Sequence, residues 1–208
     1  MSPSRTVLPR LHLASKSPRR QEILRGLGVP FKIVTSIYQE RAEDVAHLPP
    51  SAQAVRLAEL KAGAVTPEVK AGIVIGSDTV VVLDAQVLGK PRDRNDARGM
   101  LEALSGKCHE VMTGLAVCDR DRNRVFTHCE VTRVFFRQLG PDDISSYLDT
   151  DEPYDKAGAY AIQGMASLFI PRIEGCYFNV VGFPVVAFAR LLEQAGVGLA
   201  DYLKGEAK

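Results

Sequence analysis

A stretch in the first half of the chain constrains its fold more than any other. Two apolar runs, residues 72–76 (Gly-Ile-Val-Ile-Gly) and 80–83 (Val-Val-Val-Leu), flank the polar triplet Ser77-Asp78-Thr79. Apolar runs of strand length predict a strand buried on both faces, and such a strand needs helices packed over its sheet. In sheets of this kind, ligands bind beyond the carboxyl ends of the strands. We therefore expect Asp78 at the end of a buried strand, where a carboxylate can hold Mg²⁺, polarise water or simply cap a turn.

The order of the other predicted segments favours a mixed sheet. Helices alternate with strands in the first half of the chain, whereas long hairpins dominate the second half. This order predicts an α/β fold with a mixed, twisted central sheet, flanking helices and long β-hairpins, and no linker divides the chain into two domains. The predicted elements are strands at 11–14 and 31–35, helices at 18–27, 51–65, 93–104 and 184–195, a helix that begins at 141, and hairpins at 109–138 and 166–181.

The charge of the chain is nearly balanced. The 208 residues include 26 Lys and Arg and 25 Asp and Glu, which gives a net charge of +1. A surface that binds duplex nucleic acid needs an excess of positive charge. Single strands are bound largely by stacking on aromatic side chains, which make up only 7% of the residues here. We therefore expect no nucleic-acid partner.

The cysteines and the apolar segments indicate a reducing, aqueous compartment. The four cysteines contain no C-x-x-C pair, so neither a zinc ribbon nor a redox dithiol is expected. Cys118 and Cys129 could face each other across a hairpin, but reduced thiols fit a cytosolic protein better. Residues 1–10 lack the apolar core of a secretory signal, and the longest apolar stretch, residues 180–189, is too short to span a bilayer. We expect a cytoplasmic protein with no membrane contact.

Residues 15–20 have the pattern of an anion-binding helix start. Ser17 is a preferred N-cap residue and Pro18 a preferred first residue, so a helix is expected to begin here. A helix N-terminus carries partial positive charge, and Arg19 and Arg20 in its first turn add to that charge instead of balancing it. A bound phosphate explains this arrangement, because amides, hydroxyls and guanidinium groups all donate to it. The alternative is two solvated arginines beside an ordinary cap.

Three further side chains have suitable chemistry but a weaker sequence context. Lys90 follows Gly89 and a short apolar strand, and is either a phosphate ligand or a surface lysine. Lys61 lies in the middle of a predicted helix, where its context alone indicates a solvated face. Gln163 is either a satisfied loop amide or a reader of a base, since its donor and acceptor match the N3–H and a carbonyl of uracil or thymine. The chain contains no Walker-type loop, no G-x-G-x-x-G after a strand and no G-x-S-x-G elbow.

Five short segments occur in order along the chain and together carry a family resemblance. They are residues 13–20 (Leu-Ala-Ser-Lys-Ser-Pro-Arg-Arg), 76–79 (Gly-Ser-Asp-Thr), 89–91 (Gly-Lys-Pro), 104–107 (Leu-Ser-Gly-Lys) and 152–164 (Glu-Pro-Tyr-Asp-Lys-Ala-Gly-Ala-Tyr-Ala-Ile-Gln-Gly). Together they resemble the Maf (septum formation inhibitor) family of nucleoside triphosphate pyrophosphatases, over residues 11–192. Five ordered motifs are more specific than any one of them.

This resemblance implies a fold, an activity and a set of partners. The fold would be Maf/ITPase-like, with an active-site cleft between two lobes, in a single domain over residues 11–204 after a disordered extension at residues 1–10. The activity would be hydrolysis of a nucleoside triphosphate to the monophosphate and pyrophosphate with Mg²⁺ or Mn²⁺. Residues 155–164 look like the subgroup that acts on dTTP and UTP. Family likeness also suggests a homodimer.

The resemblance also implies a role for each candidate site residue. Asp78 would be the proton acceptor and a metal ligand. The second metal ligand is expected at Glu40, although the acidic pair common in the family is absent from residues 36–41. The residues that tune base specificity would be Arg19, Thr79 and Gln163, and the phosphate ligands would be Ser17, Arg20, Lys61 and Lys90.

Two other functions are consistent with the sequence. One is a house-cleaning pyrophosphatase for other modified or purine nucleotides, which a panel of triphosphates distinguishes from a dTTP/UTP enzyme. The other is a non-catalytic nucleotide-binding regulator of cell division. Tight, salt-dependent oligonucleotide binding without hydrolysis would indicate the regulator.

Overall fold

The computed structural model describes residues 8–204 of the chain. Its strands are β1 (Leu11–Leu13), β2 (Phe31–Ile33), β3 (Ile73–Leu83), β4 (Gln86–Leu88), β5 (Cys108–Asp119), β6 (Arg124–Phe135) and β7 (Arg172–Glu174). Its α-helices are α1 (Pro18–Gly26), α2 (Pro50–Val65), α3 (Arg94–Leu104), α4 (Pro141–Leu148), α5 (Tyr177–Val181), α6 (Val185–Gln194) and α7 (Leu199–Lys204). Single 3₁₀ turns span Ala42–Asp44, Ala157–Ala159 and Met165–Phe169.

The strands form one mixed sheet. Their order is β2-β1-β3-β5-β6-β7, and β4 pairs with β3 beside this path. β1 runs parallel to β2 and to β3, whereas β3, β5, β6 and β7 are paired antiparallel. β5 and β6 make the long hairpin predicted for residues 109–138. The predicted α/β fold with a mixed central sheet and flanking helices is confirmed.

The prediction that Asp78 lies at the end of a strand is wrong. β3 is continuous through the polar triplet, so Asp78 lies in the middle of the strand. Antiparallel pairing with β5 keeps the polar triplet extended, with Asp78 opposite Gly114. The other edge of β3 is used by β1 only up to Ile75 and by β4 only from Val81 onward. Between these two points, no strand of residues 8–204 pairs with this edge of β3. The ligand-accessible position predicted for Asp78 therefore comes from a gap in strand pairing.

α2 lies directly against one face of the sheet because that face carries glycine. A Cβ on Gly76 would lie 2.0 Å from the carbonyl oxygen of Ala58, and a Cβ on Gly114 would lie 2.2 Å from the backbone of Ala54. Only glycine leaves room for the helix backbone at such positions. This close approach brings the side chain of Lys61, which points toward β3, into the middle of the structure.

On the opposite face of the sheet, the apolar core is divided into two clusters. One cluster packs α1 and α6 against Ile75, and the other packs α3 and α4 against Val81. Because side chains alternate along a strand, Ser77 and Thr79 point to this same face between the two clusters. The polar interruption separates two lobes, as the resemblance implied.

The hairpin predicted over residues 166–181 is wrong. Only Arg172–Glu174 is a strand, residues 165–169 form a 3₁₀ turn, and Tyr177–Val181 is helical. A short apolar run does not distinguish a strand from a buried helix segment. In the helical conformation, the buried amide of Asn179 donates to Val111 and Thr132 on the sheet, and these bonds stabilise it.

The cysteines in the described part of the chain are free thiols. The hairpin register places Cys118 opposite Val125 and Cys129 opposite Gly114, so the two cysteines do not face each other. Burial raises the pKa of each of these two thiols to about 11. The thiol form therefore predominates at neutral pH.

Residues 1–7 of the predicted N-terminal extension lie outside the described residues. Its last three residues contact the rest of the structure. The carbonyl of Arg10 accepts a hydrogen bond from the N–H of Ile73 (2.9 Å), and the carbonyl of Pro9 accepts one from the hydroxyl of Tyr202 (2.7 Å). Among the helices between residues 8 and 204, none combines the length and hydropathy needed to cross a membrane.

Candidate active site

A cleft of about 1140 Å³ opens at the uncovered edge of β3. Its walls come from the start of α1, the loop after β2, α2, the loop after β4, residues 155–163 and the end of α5. The nine residues singled out from the sequence all line this cleft: Ser17, Arg19, Arg20, Glu40, Lys61, Asp78, Thr79, Lys90 and Gln163. The fold therefore brings them together, while their individual roles remain predictions.

The start of α1 forms one wall of the cleft. α1 begins at Pro18, and Ser17 has extended backbone angles (φ −63°, ψ 117°) with no hydrogen bond from its side chain to the helix. The hydroxyl of Ser15 accepts the N–H of Ser17 instead, at 3.1 Å. No acidic residue lies in the first turn, so the positive end of the helix and its two arginines are not compensated there. This arrangement suits an anion in the cleft.

Arg20 reaches across the cleft floor and is held by neutral oxygens. Its Nε donates to the carbonyl of Gly182 (2.9 Å), one Nη donates to the hydroxyl of Ser15 (3.3 Å) and the other to the hydroxyl of Thr79 (3.2 Å). Burial lowers the pKa of Arg20, and the nearby Asp78 offsets only part of this decrease. The guanidinium is thus oriented by groups that leave its charge available to an anion.

Two carboxylates converge on the ammonium of Lys61. Its Nζ lies 2.6 Å from Oε1 of Glu40 and makes a very short contact with Oδ1 of Asp78. The Lys61 side chain is only 16% exposed. The solvated helix face that its sequence context alone indicated is therefore wrong, because α2 lies so close to the sheet that this residue points into the cleft.

Asp78 combines burial with nearby cations. Burial raises the pKa of Asp78, and Lys61 and Arg20 lower it in partial compensation. The net direction is upward. A carboxylate with a raised pKa accepts a proton more readily near neutral pH than an ordinary aspartate does. This environment is consistent with the proton-accepting role that the resemblance implied for Asp78.

The carboxylates of Glu40 and Asp78 are the candidate ligands for a divalent cation. Each places one oxygen on the Nζ of Lys61, so a cation would bind beside the ammonium. Ions such as Mg²⁺ are commonly held by one or two carboxylates together with substrate phosphates and water. Among residues 8–204, no cluster of three or more His, Cys, Asp and Glu side chains could hold a metal by itself. A metal held by these two carboxylates beside Lys61 would take its other ligands from the substrate and water.

A backbone hydrogen bond joins two loops on the far side of the cleft. The N–H of Gly158 donates to the carbonyl of Gly89 (3.0 Å), which places Lys90 beside the 3₁₀ turn Ala157–Ala159. Gly158 has φ of +69°, and a Cβ there would lie 3.0 Å from the side chain of Val81. Glycine therefore allows this turn to pack on β3.

The loop at residues 155–163 also faces α1. Asp155 is exposed, and slight desolvation raises its pKa, but the ammonium of Lys156 and the more distant Arg19 bring its pKa below the ordinary value. Lys156 is 16% exposed and lines the cleft as well. Lys156 lies within the motif at residues 152–164, but no separate role was predicted for it.

Glu152 holds the segment that follows Gln163. Its carboxylate accepts hydrogen bonds from the hydroxyl of Tyr147 (2.9 Å) and the N–H of Met165 (2.9 Å). A Cβ on Gly164 would lie 1.9 Å from Oε2 of Glu152, so this contact requires glycine. Glu152 belongs to the quoted motif, but its contact with the loop is visible only in the tertiary structure.

Tyr38 is a cleft residue that sequence reasoning missed. Its hydroxyl donates to Oδ2 of Asp44 at 2.6 Å, which ties down the loop that carries Glu40. Neither Tyr38 nor Asp44 lies in a recognisable motif. No pattern in the sequence could therefore have indicated the pair.

Comparisons with known proteins agree with this geometry. The family model described as Maf, Maf-like protein, matches residues 10–195. A curated dTTP/UTP pyrophosphatase from Carboxydothermus hydrogenoformans is 46% identical over 90% of this chain and 99% of its own length. A second, from Desulforamulus reducens, is 50% identical over 89% of this chain and 96% of its own length.

Among solved structures, the similarities are more remote. The nucleoside-triphosphatase / dITP/XTP pyrophosphatase from Mycobacterium abscessus has a TM-score of 0.40 at 11% identity, over 62% of this chain and 75% of that chain. The Ham1 protein of Staphylococcus aureus has a TM-score of 0.42 at 10% identity, over 61% and 71%. These similarities are too low to support an inference about this chain.

Proposed function

Because the chain belongs to the Maf family, we propose that it hydrolyses dTTP and UTP to the nucleoside monophosphate and pyrophosphate. The observation that carries the proposal is the convergence of Arg19, Arg20 and Lys90 with the buried Asp78 in one cleft. A triphosphate needs cations along its tail and a proton acceptor near the attacked phosphorus. The cleft supplies both, and the curated relatives carry this activity in their names.

In the proposed reaction, Asp78 accepts a proton from a water molecule that attacks the α-phosphorus. The water oxygen forms the new bond to that phosphorus, and the bond to the oxygen bridging to the β-phosphorus breaks. Pyrophosphate leaves with the bridging oxygen. The raised pKa of Asp78 suits this role, because a stronger base removes a proton from water more effectively.

The cations of the cleft stabilise the leaving group. Charge develops on the pyrophosphate oxygens as the anhydride bond breaks, and positioned donors lower the energy of that state. Arg20 is oriented before substrate binds, since three oxygens of the protein already hold its guanidinium. We assign Ser17 and Lys90 to the phosphates as well.

Glu40 and Asp78 would hold the divalent cation, Mg²⁺ or Mn²⁺. When bound, this ion supplies positive charge beside the phosphate oxygens. Lys61 orients the two carboxylates toward each other and neutralises part of their charge. This assignment makes Lys61 a partner of the carboxylates first, and a phosphate ligand only where the substrate reaches it.

Base selection is assigned to Gln163, with Arg19 and Thr79 nearby in the cleft. The amide of Gln163 offers one donor and one acceptor, which match the carbonyl and N3–H of uracil and thymine. Cytosine presents an acceptor at N3 and an amino group beside it. The same amide cannot make both of its hydrogen bonds in the same orientation with cytosine and with uracil.

Three broader statements belong to the same proposal. Residues 11–204 act as one domain, because a single sheet runs through both lobes. The partner is a small-molecule nucleoside triphosphate, and a homodimer is suggested by family likeness. The cytoplasm is the proposed location, in keeping with free cysteines in the described part of the chain.

The test is a panel of triphosphates assayed for pyrophosphate release with Mg²⁺, with Mn²⁺ and with EDTA. We expect UTP and dTTP to be turned over fastest and EDTA to abolish turnover. Asp78→Asn is the matched control for a contaminating phosphatase. Faster turnover of GTP or ITP analogues would favour the house-cleaning alternative. Absence of hydrolysis together with tight, salt-dependent oligonucleotide binding would favour the regulator.

A further inference from the structure

A series of hydrogen-bonded hydroxyl groups continues from Arg20 into the sheet. The Arg20 guanidinium donates to the hydroxyl of Thr79 at 3.2 Å. The Thr79 oxygen lies 2.9 Å from the hydroxyl of Thr113, on the neighbouring strand β5. The Thr113 hydroxyl donates to the backbone carbonyl of Asn179 at 3.0 Å. Thr113 and Asn179 are fully buried, and neither is among the residues assigned above to the reaction.

The direction of each hydrogen bond in this series follows from the donors available. A carbonyl can only accept, so the single proton of the Thr113 hydroxyl belongs to the bond with Asn179. Thr113 must then accept from Thr79, whose own proton is used in that bond. A guanidinium can only donate, so the oxygen of Thr79 accepts from Arg20. The hydroxyl protons of Thr79 and Thr113 therefore each have one position that satisfies all of these hydrogen bonds.

The buried end of this series of hydrogen bonds, at Asn179, is fixed to the sheet. The Asn179 side chain donates to the carbonyl of Val111 (2.8 Å) and to the hydroxyl of Thr132 (2.9 Å). The carbonyl of Gly182, at the end of the same short helix, accepts from Arg20 and from the hydroxyl of Ser77 (3.1 Å). α5 is thus held against β3 and β5 in the position that supplies these two carbonyls.

We propose that Thr113 is a positioning residue for Arg20 and acts by fixing the hydroxyl of Thr79 as a hydrogen-bond acceptor. The proposal rests on the proposed function, since it assigns Arg20 to the phosphates. Without the Thr113 oxygen, the Thr79 proton has no acceptor in the sheet, and the hydroxyl can rotate so that its proton faces the guanidinium. Arg20 then loses one of the three groups that orient it. A substrate group that reaches Thr79 must likewise be a donor.

The test compares Thr113→Val with the wild type in steady-state hydrolysis of UTP. We expect kcat/KM to fall roughly five- to tenfold, the scale of one lost neutral hydrogen bond, with most of the loss in kcat. Thr113→Ser keeps the hydroxyl and should recover most of the activity. Thr127→Val makes the same change at an exposed position of β6 and should leave the kinetics unchanged.

A double-variant cycle separates positioning from a structural role. If Thr113 acts through Thr79, the variant that carries both Thr79→Val and Thr113→Val should be within about twofold of Thr79→Val alone, because coupled residues are not additive. Losses that multiply would overturn the proposal, as would wild-type kinetics in Thr113→Val. If Thr113→Val does not fold, as judged by thermal unfolding, Thr113→Ala removes the same hydroxyl, and the same outcomes apply to it.

Pyrophosphate binding keeps this inference separate from the proposed function. Isothermal titration should give a several-fold weaker Kd for pyrophosphate in Thr113→Val than in the wild type. If the wild type hydrolyses no triphosphate, the proposed function fails, but this comparison still tests the link between Thr113 and Arg20. An equal Kd in the two proteins would contradict the link.

Discussion

At the scale of single residues, the cleft depends on one carboxylate in an unusual place. Asp78 is 8% exposed and lies in the middle of a strand, where most side chains are apolar. Its burial is tolerated because Lys61 bonds to it directly and Arg20 lies nearby. A buried carboxylate with cationic neighbours in a cleft is a typical sign of a functional site.

Replacing Asp78 with asparagine removes the proposed base and leaves the shape of the side chain. We expect Asp78→Asn to lower kcat for UTP by at least about a hundredfold, the usual scale of general base catalysis. Pyrophosphate release measures the effect, and circular dichroism checks that the fold is intact. Near-normal turnover in a folded variant would remove Asp78 from the mechanism.

We expect the pKa of Asp78 in the free enzyme, before metal and substrate bind, to set the acid side of the kcat/KM profile. Burial raises this pKa above 3.8, and the reaction needs the ionised carboxylate. The activity of the wild type should therefore fall as pH decreases, with a midpoint above the ordinary value for aspartate. A profile of kcat/KM against pH measures this midpoint. A limb that lies at or below 3.8 would show that a different group controls the rate.

The position of the loop that carries Gln163 depends on the absence of a side chain at Gly164. In Gly164→Ala, the new methyl group would overlap the Glu152 carboxylate, so the loop must move. We expect the preference for UTP over CTP, measured as a ratio of kcat/KM values, to decrease several-fold, because misplaced polar groups discriminate poorly. Gly99→Ala is a matched control, since nothing lies within 4 Å of a Cβ at that position. An unchanged ratio in Gly164→Ala would mean that the loop position does not set specificity.

At the scale of elements, β5 is tied to the loop that carries Gln163 by a buried polar pair. Nε2 of His109 lies 2.7 Å from the hydroxyl of Tyr160, and both rings pack edge-on against Phe136. Burial lowers the pKa of His109 to about 4. The imidazole is therefore neutral in the folded protein at neutral pH.

This neutral histidine makes stability depend on pH in a defined window. The unfolded chain takes up a proton at His109 near pH 6.5, but the folded protein does so only near pH 4. The titration of His109 therefore does not reduce the free energy of unfolding above pH 6.5, and lowers it by up to about 3 kcal/mol as the pH decreases to 4. Urea unfolding between pH 4 and 7 measures this loss. In His109→Gln, which cannot titrate, the slope in this window should be clearly smaller; an equal slope would contradict the assignment.

At the scale of the whole molecule, the cleft lies between two separately packed clusters. Residues from both sides contribute to it: α1 packs with the first cluster, and the turn Ala157–Ala159 packs with the second. A ligand in the cleft would touch both lobes. Binding to the folded state alone should therefore stabilise the entire chain.

We expect an analogue of UTP that cannot be cleaved between its α- and β-phosphates, added with Mg²⁺, to raise the Tm of the wild type. At a concentration about a hundredfold above Kd, ligand binding contributes about 2.7 kcal/mol, which corresponds to a shift of roughly 5–10 °C for a chain of this size. Adding EDTA, or replacing Arg20 with alanine, should reduce the shift. An equal shift with EDTA would show that the metal does not take part in binding.

The mixed sheet and most helices were predictable because their signals are local. The buried strand at residues 72–83, the helix start at Ser17-Pro18 and the helix at residues 51–65 depend on neighbours along the chain. The short apolar stretch Tyr177–Val181 was predicted wrongly. Its conformation depends on bonds from Asn179 to two strands that lie more than forty residues earlier.

The candidates for the chemistry could be chosen from the amino-acid sequence, because residue type and short spacing define donors, acceptors and charge. Which of these candidates contact one another depends on the folded structure. Lys61 faces Glu40 and Asp78 because two glycines let α2 approach the sheet, and Arg20 meets Thr79 because β1 ends before the middle of β3. These contacts join residues far apart in the chain, and their geometry is set by packing, which no local pattern encodes.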